Sequence, residues 1–284
     1  MIERTLTCIG PHGLHRLAYV EWPGPSRNAP ALLCVHGLTR NGRDFDVLAQ
    51  TLSTHYRVVC PDMPGRGKSE WLNEAADYTY PLYLGDITTL IARLDVERVD
   101  WVGTSMGGII GMLFAAMPNA PIGKLVMNDV GALVPKAGME RIAAYVGLDP
   151  SFPNFADLET ALRLIAAPFG PLTDAQWRHL AAHSARRKPD GTLGFAYDLK
   201  IGEAFKQGPI EDVALWSVWD TITCPVLLLR GAQSDILAAP DAVAMTQRGP
   251  RAKLVEFTGI GHAPALMAED QIAAIRNFLV SDKR

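Results

Sequence analysis

The feature that most constrains this 284-residue chain is an alternation of two kinds of segment along most of its length. Short apolar and β-branched runs at 31–35, 56–60, 98–102, 124–127, 225–229 and 252–257 are bounded by Gly, Pro, Asn or Asp, as strands usually are. Longer stretches with helical patterning lie between them, at 44–54, 81–94, 106–117, 240–248 and 269–281. Strands that are apolar throughout, alternating with helices, need cover on both faces. The pattern therefore predicts an α/β fold with a mostly parallel central sheet flanked by helices. The opening segments, 2–10 and 14–22, read as an antiparallel hairpin turning at Pro11-His-Gly13.

The alternation breaks between about Pro135 and Trp219, where only helix-like segments are found, at 138–146, 155–166, 174–187 and 210–216. The expected organisation is a core built from 1–134 and 220–284, with a helical cap inserted at 135–219. Phe152, Phe155, Trp177, Phe195 and Tyr197 in the insert either line a pocket or form the cap's own core.

A net charge of −3, with no block of like charge, recommends neither a nucleic-acid nor a membrane partner. The first residues lack a basic region followed by a long apolar one, and no apolar run is long enough to span a bilayer. Cys8, Cys34, Cys60 and Cys224 match no metal-binding spacing and read as buried free thiols of a cytoplasmic protein. No flavin or nicotinamide motif and no cluster of ligands is found, so neither cofactor nor metal is expected.

Within this frame one short stretch stands out. Gly103-Thr-Ser-Met-Gly107 follows the strand at 98–102 and opens the helix at 106–117, the context in which a G-x-S-x-G serine is lifted onto a sharp turn. The start of that helix leaves the N–H of Met106 free to donate to developing negative charge. A serine nucleophile needs a base, and the base an orienting acid. His262 lies in Thr258-Gly-Ile-Gly-His-Ala-Pro264 after the strand at 252–257, and Asp235 lies in Arg230-Gly-Ala-Gln-Ser-Asp-Ile236 after the strand at 225–229. In a parallel sheet these loops emerge at one edge, so Ser105, Asp235 and His262 can converge.

With His36-Gly-Leu38, Asp62-Met-Pro-Gly-Arg-Gly-Lys-Ser69, Gly103-Thr-Ser-Met-Gly107, Arg230-Gly…Asp235 and Gly261-His262 in order, nearly the whole chain resembles the α/β-hydrolase family. The resemblance implies a serine nucleophile, acid and histidine in that chain order, and a second oxyanion donor at the N–H of Leu38. It also implies an architectural role for Asp62, with His36 bracing the turn that it opens. Asp129, in Met127-Asn-Asp-Val-Gly131, ends a core strand and rivals Asp235, because some relatives draw their acid from that position. Asp235, in the usual loop, is the preferred acid.

Relatives that open epoxides or remove halogens carry Asp at the elbow, which Ser105 excludes. The expected activity is cleavage of a small-molecule carboxylic ester through an acyl-enzyme on Ser105. Alternatives on the same triad are a C–C bond hydrolase for ring-cleavage diketones, a lactonase or a thioesterase. A ligand-sensing receptor on the same fold is the alternative from another class. Leu38-Thr-Arg40 and Ala263-Pro264 depart from the pattern of the diketone hydrolases.

Overall fold

The computed structural model describes residues 1–205 and 208–281; positions 206–207 of the expected insert and 282–284 of the expected core lie outside the described residues. Along the chain come β1 (Ile2–Gly10), β2 (Gly13–Trp22), β3 (Ala31–Val35), α1 (Asp46–Leu52), β4 (Arg57–Asp62), α2 (Tyr80–Leu94), β5 (Val99–Thr104), α3 (Met106–Ala115) and β6 (Ile122–Asn128). Next are β7 (Leu133–Val134), α4 (Lys136–Ala143), α5 (Phe155–Ile165), α6 (Asp174–Ser184), β8 (Ala185–Arg187), β9 (Leu193–Phe195), α7 (Lys200–Phe205), β10 (Val213–Ala214) and α8 (Trp216–Trp219). The chain closes with β11 (Val226–Gly231), α9 (Ala239–Gln247), β12 (Lys253–Phe257) and α10 (Glu269–Val280).

Eight strands form one sheet in the order β1-β2-β4-β3-β5-β6-β11-β12. The first two enter antiparallel and the rest run parallel from β4 to β12. Every residue of β3 and β11 is buried, as expected of parallel strands covered on both faces. One apolar layer unites Leu33, Val35, Trp101, Leu125 and Met127 with Ile87, Leu90 and Ile110 of α2 and α3. The opposite layer joins Leu32, Cys34, Val102 and Leu229 to Leu48 and Leu52 of α1 and to Ile275 and Leu279 of α10.

Burying apolar side chains of this size is worth about 1.5–3 kcal/mol apiece, so the two layers fix the sheet and with it the loops at its C-terminal edge. Cys8, Cys34 and Cys60 are buried free thiols, and Cys224 is half-buried.

The segment between β6 and β11 contributes nothing to the large sheet. It is less purely helical than its sequence suggests. The helix expected to reach residue 187 ends at Ser184, and β8 then pairs antiparallel with β9. The expected helix at 210–216 is instead the short strand β10, paired with β7, followed by the single turn of α8. Two- and three-residue ladders lack the alternation that marks a strand in sequence, which explains why these pairs escape a reading of periodicity. No described helix is long and apolar enough to cross a membrane.

Candidate active site

Ser105 stands between β5 and α3 with φ 52° and ψ −116°, a left-handed conformation that non-glycine residues rarely adopt. The flanking glycines make it possible. A Cβ on Gly103 would lie 2.2 Å from the Gly107 carbonyl oxygen, and one on Gly107 would lie 1.9 Å from the carbonyl oxygen of Val35. Strand and helix thus approach too closely for any side chain at either position. The Ser105 N–H donates to the Asn128 carbonyl at 3.0 Å, and Trp101 Nε1 donates to the Gly107 carbonyl at 3.0 Å, pinning the turn from both sides.

The hydroxyl meets a histidine. Ser105 Oγ lies 2.9 Å from His262 Nε2, and His262 Nδ1 lies 2.8 Å from Asp129 Oδ2. Asp129 is fully buried at the C-terminal end of β6. Its Oδ1 accepts the Gly231 N–H at 2.7 Å, and its Oδ2 also accepts the Ser234 hydroxyl at 2.6 Å. A carboxylate with these acceptor bonds favours Nδ1–H on the imidazole, leaving Nε2 to accept from serine. Such a relay can draw the serine proton onto the ring and stabilise the imidazolium that results.

The geometry sets Asp129, rather than the preferred acid Asp235, against His262. Asp235 makes no hydrogen bond to His262. Its carboxylate forks onto Arg141 of α4 instead, with Nη2 donating to Oδ1 at 3.0 Å and Nε donating to Oδ2. Burial pushes the Asp235 carboxyl up, but the hydrogen bond and charge of Arg141 outweigh it and hold the group below the usual range. The loop after β11 still serves the relay, through the Gly231 N–H and the Ser234 hydroxyl that hold Asp129. No local signal separates the two: both aspartates follow buried strands, and what distinguishes them is Arg141, which reaches Asp235 from α4.

The two expected anion donors flank the serine. The N–H groups of Leu38 and Met106 donate to no acceptor among the described residues. His36 is wholly buried, its Nδ1 2.7 Å from the Gly37 carbonyl and its Nε2 accepting the Met63 N–H at 2.9 Å. Burial pushes its pKa down to about 3, so it holds the Leu38 turn as a neutral ring.

Asp62 is architectural as well, accepting the N–H groups of Gly42 and Lys68 at 2.8 Å each; burial raises its pKa to about 6. Sequence reasoning missed Arg66. This fully buried guanidinium donates to the Leu38 carbonyl at 2.7 Å, to the Pro64 carbonyl at 2.7 Å and to the Tyr83 hydroxyl at 2.8 Å, and lies 3.5 Å from Met106 Sδ.

Two cavities open at Ser105. One of about 150 Å³ is lined by His262, Thr39, Arg40, Arg141 and Tyr145, with Phe195 and Tyr197 of the insert. Another of about 610 Å³ is lined by Met106, Ile109, Leu113, Val130, Leu215 and their apolar neighbours. Of the insert aromatics, Phe195 and Tyr197 therefore face the site, whereas Trp177, Phe152 and Phe155 pack in the insert's own core around Leu158 and Leu180.

Away from the serine, Cys8, His15 and Asp86 form one group of potential metal ligands, and Asp46, His179 and His183 another. His15 pairs with Asp86 in the first, and the Arg43 cation sits on Asp46 in the second.

A fold and a site of this kind define a class, and the comparisons agree. Residues 32–275 match the model of the alpha/beta hydrolase family. A 3-hydroxybutyrate-oligomer hydrolase of Cupriavidus necator is 47% identical over 281 residues, 95% of this chain and 95% of its own. A solved chain from Rickettsia typhi superposes with a TM-score of 0.93 at 32% identity, over 100% of both chains. An alpha/beta hydrolase from Novosphingobium aromaticivorans superposes with a TM-score of 0.87 at 38% identity, over 98% of this chain and 97% of that one. The chain belongs to the alpha/beta hydrolase family, and it is an enzyme of the hydrolase class.

Proposed function

We propose that this hydrolase cleaves carboxylic esters of small hydroxy acids, short oligoesters of the 3-hydroxybutyrate type among them, with Ser105 as nucleophile, His262 as base and Asp129 as the orienting acid. The observation that carries this reading is the unbroken relay from Ser105 Oγ to His262 Nε2 and from His262 Nδ1 to Asp129, opening on a cavity of about 610 Å³ with apolar walls. The similarity to a 3-hydroxybutyrate-oligomer hydrolase supports the substrate class.

In this mechanism the Ser105 oxygen attacks the ester carbonyl as His262 takes its proton. The oxyanion is received by the N–H groups of Leu38, in the turn after β3, and Met106, at the elbow, donors already in place. The C–O bond to the alcohol then breaks, and His262 returns its proton to the departing oxygen. Water repeats the sequence on the acyl-enzyme: it gives a proton to His262, adds to the carbonyl and releases the acid as the proton returns to Ser105. In this reading the described residues of the 135–219 segment act as a cap, walling the smaller cavity with Arg141, Tyr145, Phe195 and Tyr197.

The test is initial-rate hydrolysis of p-nitrophenyl butyrate and of the 3-hydroxybutyrate dimer by wild type and Ser105→Ala. The reading expects multiple turnovers on both, lost in the variant. A folded wild type that turns over neither would contradict it.

A further inference from the structure

Ser105 is shared by two cavities, of which only the smaller is lined by charged side chains, and the placement of His262 and Met106 in different ones gives the substrate a direction. His262 lines only the smaller cavity, with Arg40 and Arg141. Met106 lines only the larger one, whose described lining contains no charged residue. A histidine that protonates a leaving oxygen must stand on the leaving-group side of the scissile bond. The alcohol portion of an ester therefore lies in the smaller cavity, and the acyl portion extends into the larger apolar one.

The charge of the smaller cavity then matters. Arg40 forks onto Asp44, with Nε at 2.8 Å and Nη2 at 2.6 Å, and donates through Nη1 to Ser184 at 2.8 Å. Arg141 is engaged by Asp235 through Nε and Nη2 and lies against the Tyr145 hydroxyl, and the remaining N–H groups of its five-donor fork can face another acceptor. Asp235 thus orients Arg141 at the half-exposed edge of this cavity. A guanidinium held in one plane is a good receptor for a second carboxylate, because bidentate pairing needs its fork pre-oriented. In an oligoester of hydroxy acids only one end carries a carboxylate, and that end belongs to the alcohol product of the terminal cleavage.

We infer that Arg141, with Arg40 lining the same cavity, reads the free carboxylate on the alcohol portion of the substrate, so that an oligoester is shortened from its carboxylate end, one hydroxy acid at a time. This rests on the ester-hydrolase reading above. The chemistry is the ester cleavage already described: the acyl–oxygen bond of the last unit breaks, the shortened chain stays on Ser105, and the terminal hydroxy acid leaves with the proton from His262. The size of the two cavities fits this division, the smaller one taking the single departing unit.

The experiment compares the 3-hydroxybutyrate trimer as free acid with its methyl ester, and adds a trimer acetylated at its hydroxyl end. Wild type should prefer the free acid by about tenfold or more in kcat/KM, chiefly through KM, in line with a charge-assisted bidentate contact. Arg141→Gln should shrink that ratio towards one, and Arg141→Lys should recover part of it. The acetylated trimer should release unmodified 3-hydroxybutyrate first.

Equal kcat/KM for acid and methyl ester in wild type would overturn the inference without any variant. So would a preference that survives in folded Arg141→Gln and Arg40→Gln, or early release of O-acetyl-3-hydroxybutyrate. If wild type hydrolyses neither the trimers nor p-nitrophenyl butyrate, it is the ester-hydrolase reading that fails.

Discussion

Asp129 and His262, 133 residues apart in sequence, meet at 2.8 Å between Oδ2 and Nδ1. The contact exists because β6, β11 and β12 are successive neighbours in the sheet, so that the residue following β6 and the loops following β11 and β12 share an edge. The same neighbourhood lets Gly231 and Ser234 hold the carboxylate from the far side. An acid gripped in this way keeps the imidazole in one tautomer, which is its chief service to the serine.

The elbow stores strain at Ser105, and this is measurable as stability. A left-handed conformation at a non-glycine residue costs on the order of 1–3 kcal/mol. Ser105→Gly, which tolerates φ 52°, should therefore be more stable than Ser105→Ala by about 1 kcal/mol in urea unfolding, while both lose turnover. Equal stability of the two would mean that the turn is unstrained.

His36 links the Leu38 turn to pH. Its folded pKa lies at about 3, below the ordinary 6.5, so the unfolded chain takes up a proton on acidification that the folded one refuses. Its contribution to stability is thus present above pH 6.5 and lost as pH falls towards 3. Because the unfolded imidazole is already half protonated at pH 6.5, the loss approaches about 1.4 kcal/mol per unit only further down, and wild type should lose about 1.6 kcal/mol of its advantage over His36→Gln between pH 6.5 and pH 5. Denaturant midpoints at the two pH values check this; a constant difference would contradict it.

Arg66 contacts both residues proposed as anion donors, through the Leu38 carbonyl and the Met106 thioether. It forms no ion pair with a carboxylate among the described residues, so its charge is held by carbonyls, a phenol and the faces of Tyr78 and Tyr83. Arg66→Met should leave two buried carbonyls without donors, lowering stability by about 2 kcal/mol. It should also reduce kcat more than it raises KM, because the Leu38 turn loses its anchor. Steady-state kinetics on p-nitrophenyl butyrate, with thermal unfolding alongside, separate the two effects.

Much of this was legible beforehand, and the exceptions share a cause. The alternation of buried strands with helices, and the glycine fence about Ser105, are local patterns imposed by sheet burial and by close backbone approach. Each can be read in a short window. The choice between Asp129 and Asp235 is not of that kind. Both follow core strands, and what separates them is Arg141, which reaches Asp235 from α4 in the inserted segment. Arg66 was hidden for the same reason: a charged residue in a glycine-rich loop reads as solvated until Tyr78, Tyr83 and Leu38 are seen to close around it. The short ladders β8–β9 and β7–β10 depend on pairing partners rather than on periodicity.

The central claim is that Asp129, and not Asp235, completes the relay, and the most direct measurement is kcat on a neutral ester such as p-nitrophenyl butyrate for Asp129→Asn and Asp235→Asn. With the carboxylate gone from His262, Asp129→Asn should lose about 10³–10⁴-fold in kcat while remaining folded. Asp235→Asn, which loosens Arg141 rather than the histidine, should lose less than about tenfold. The opposite ranking, with Asp235→Asn the crippled variant and Asp129→Asn nearly active, would contradict the account.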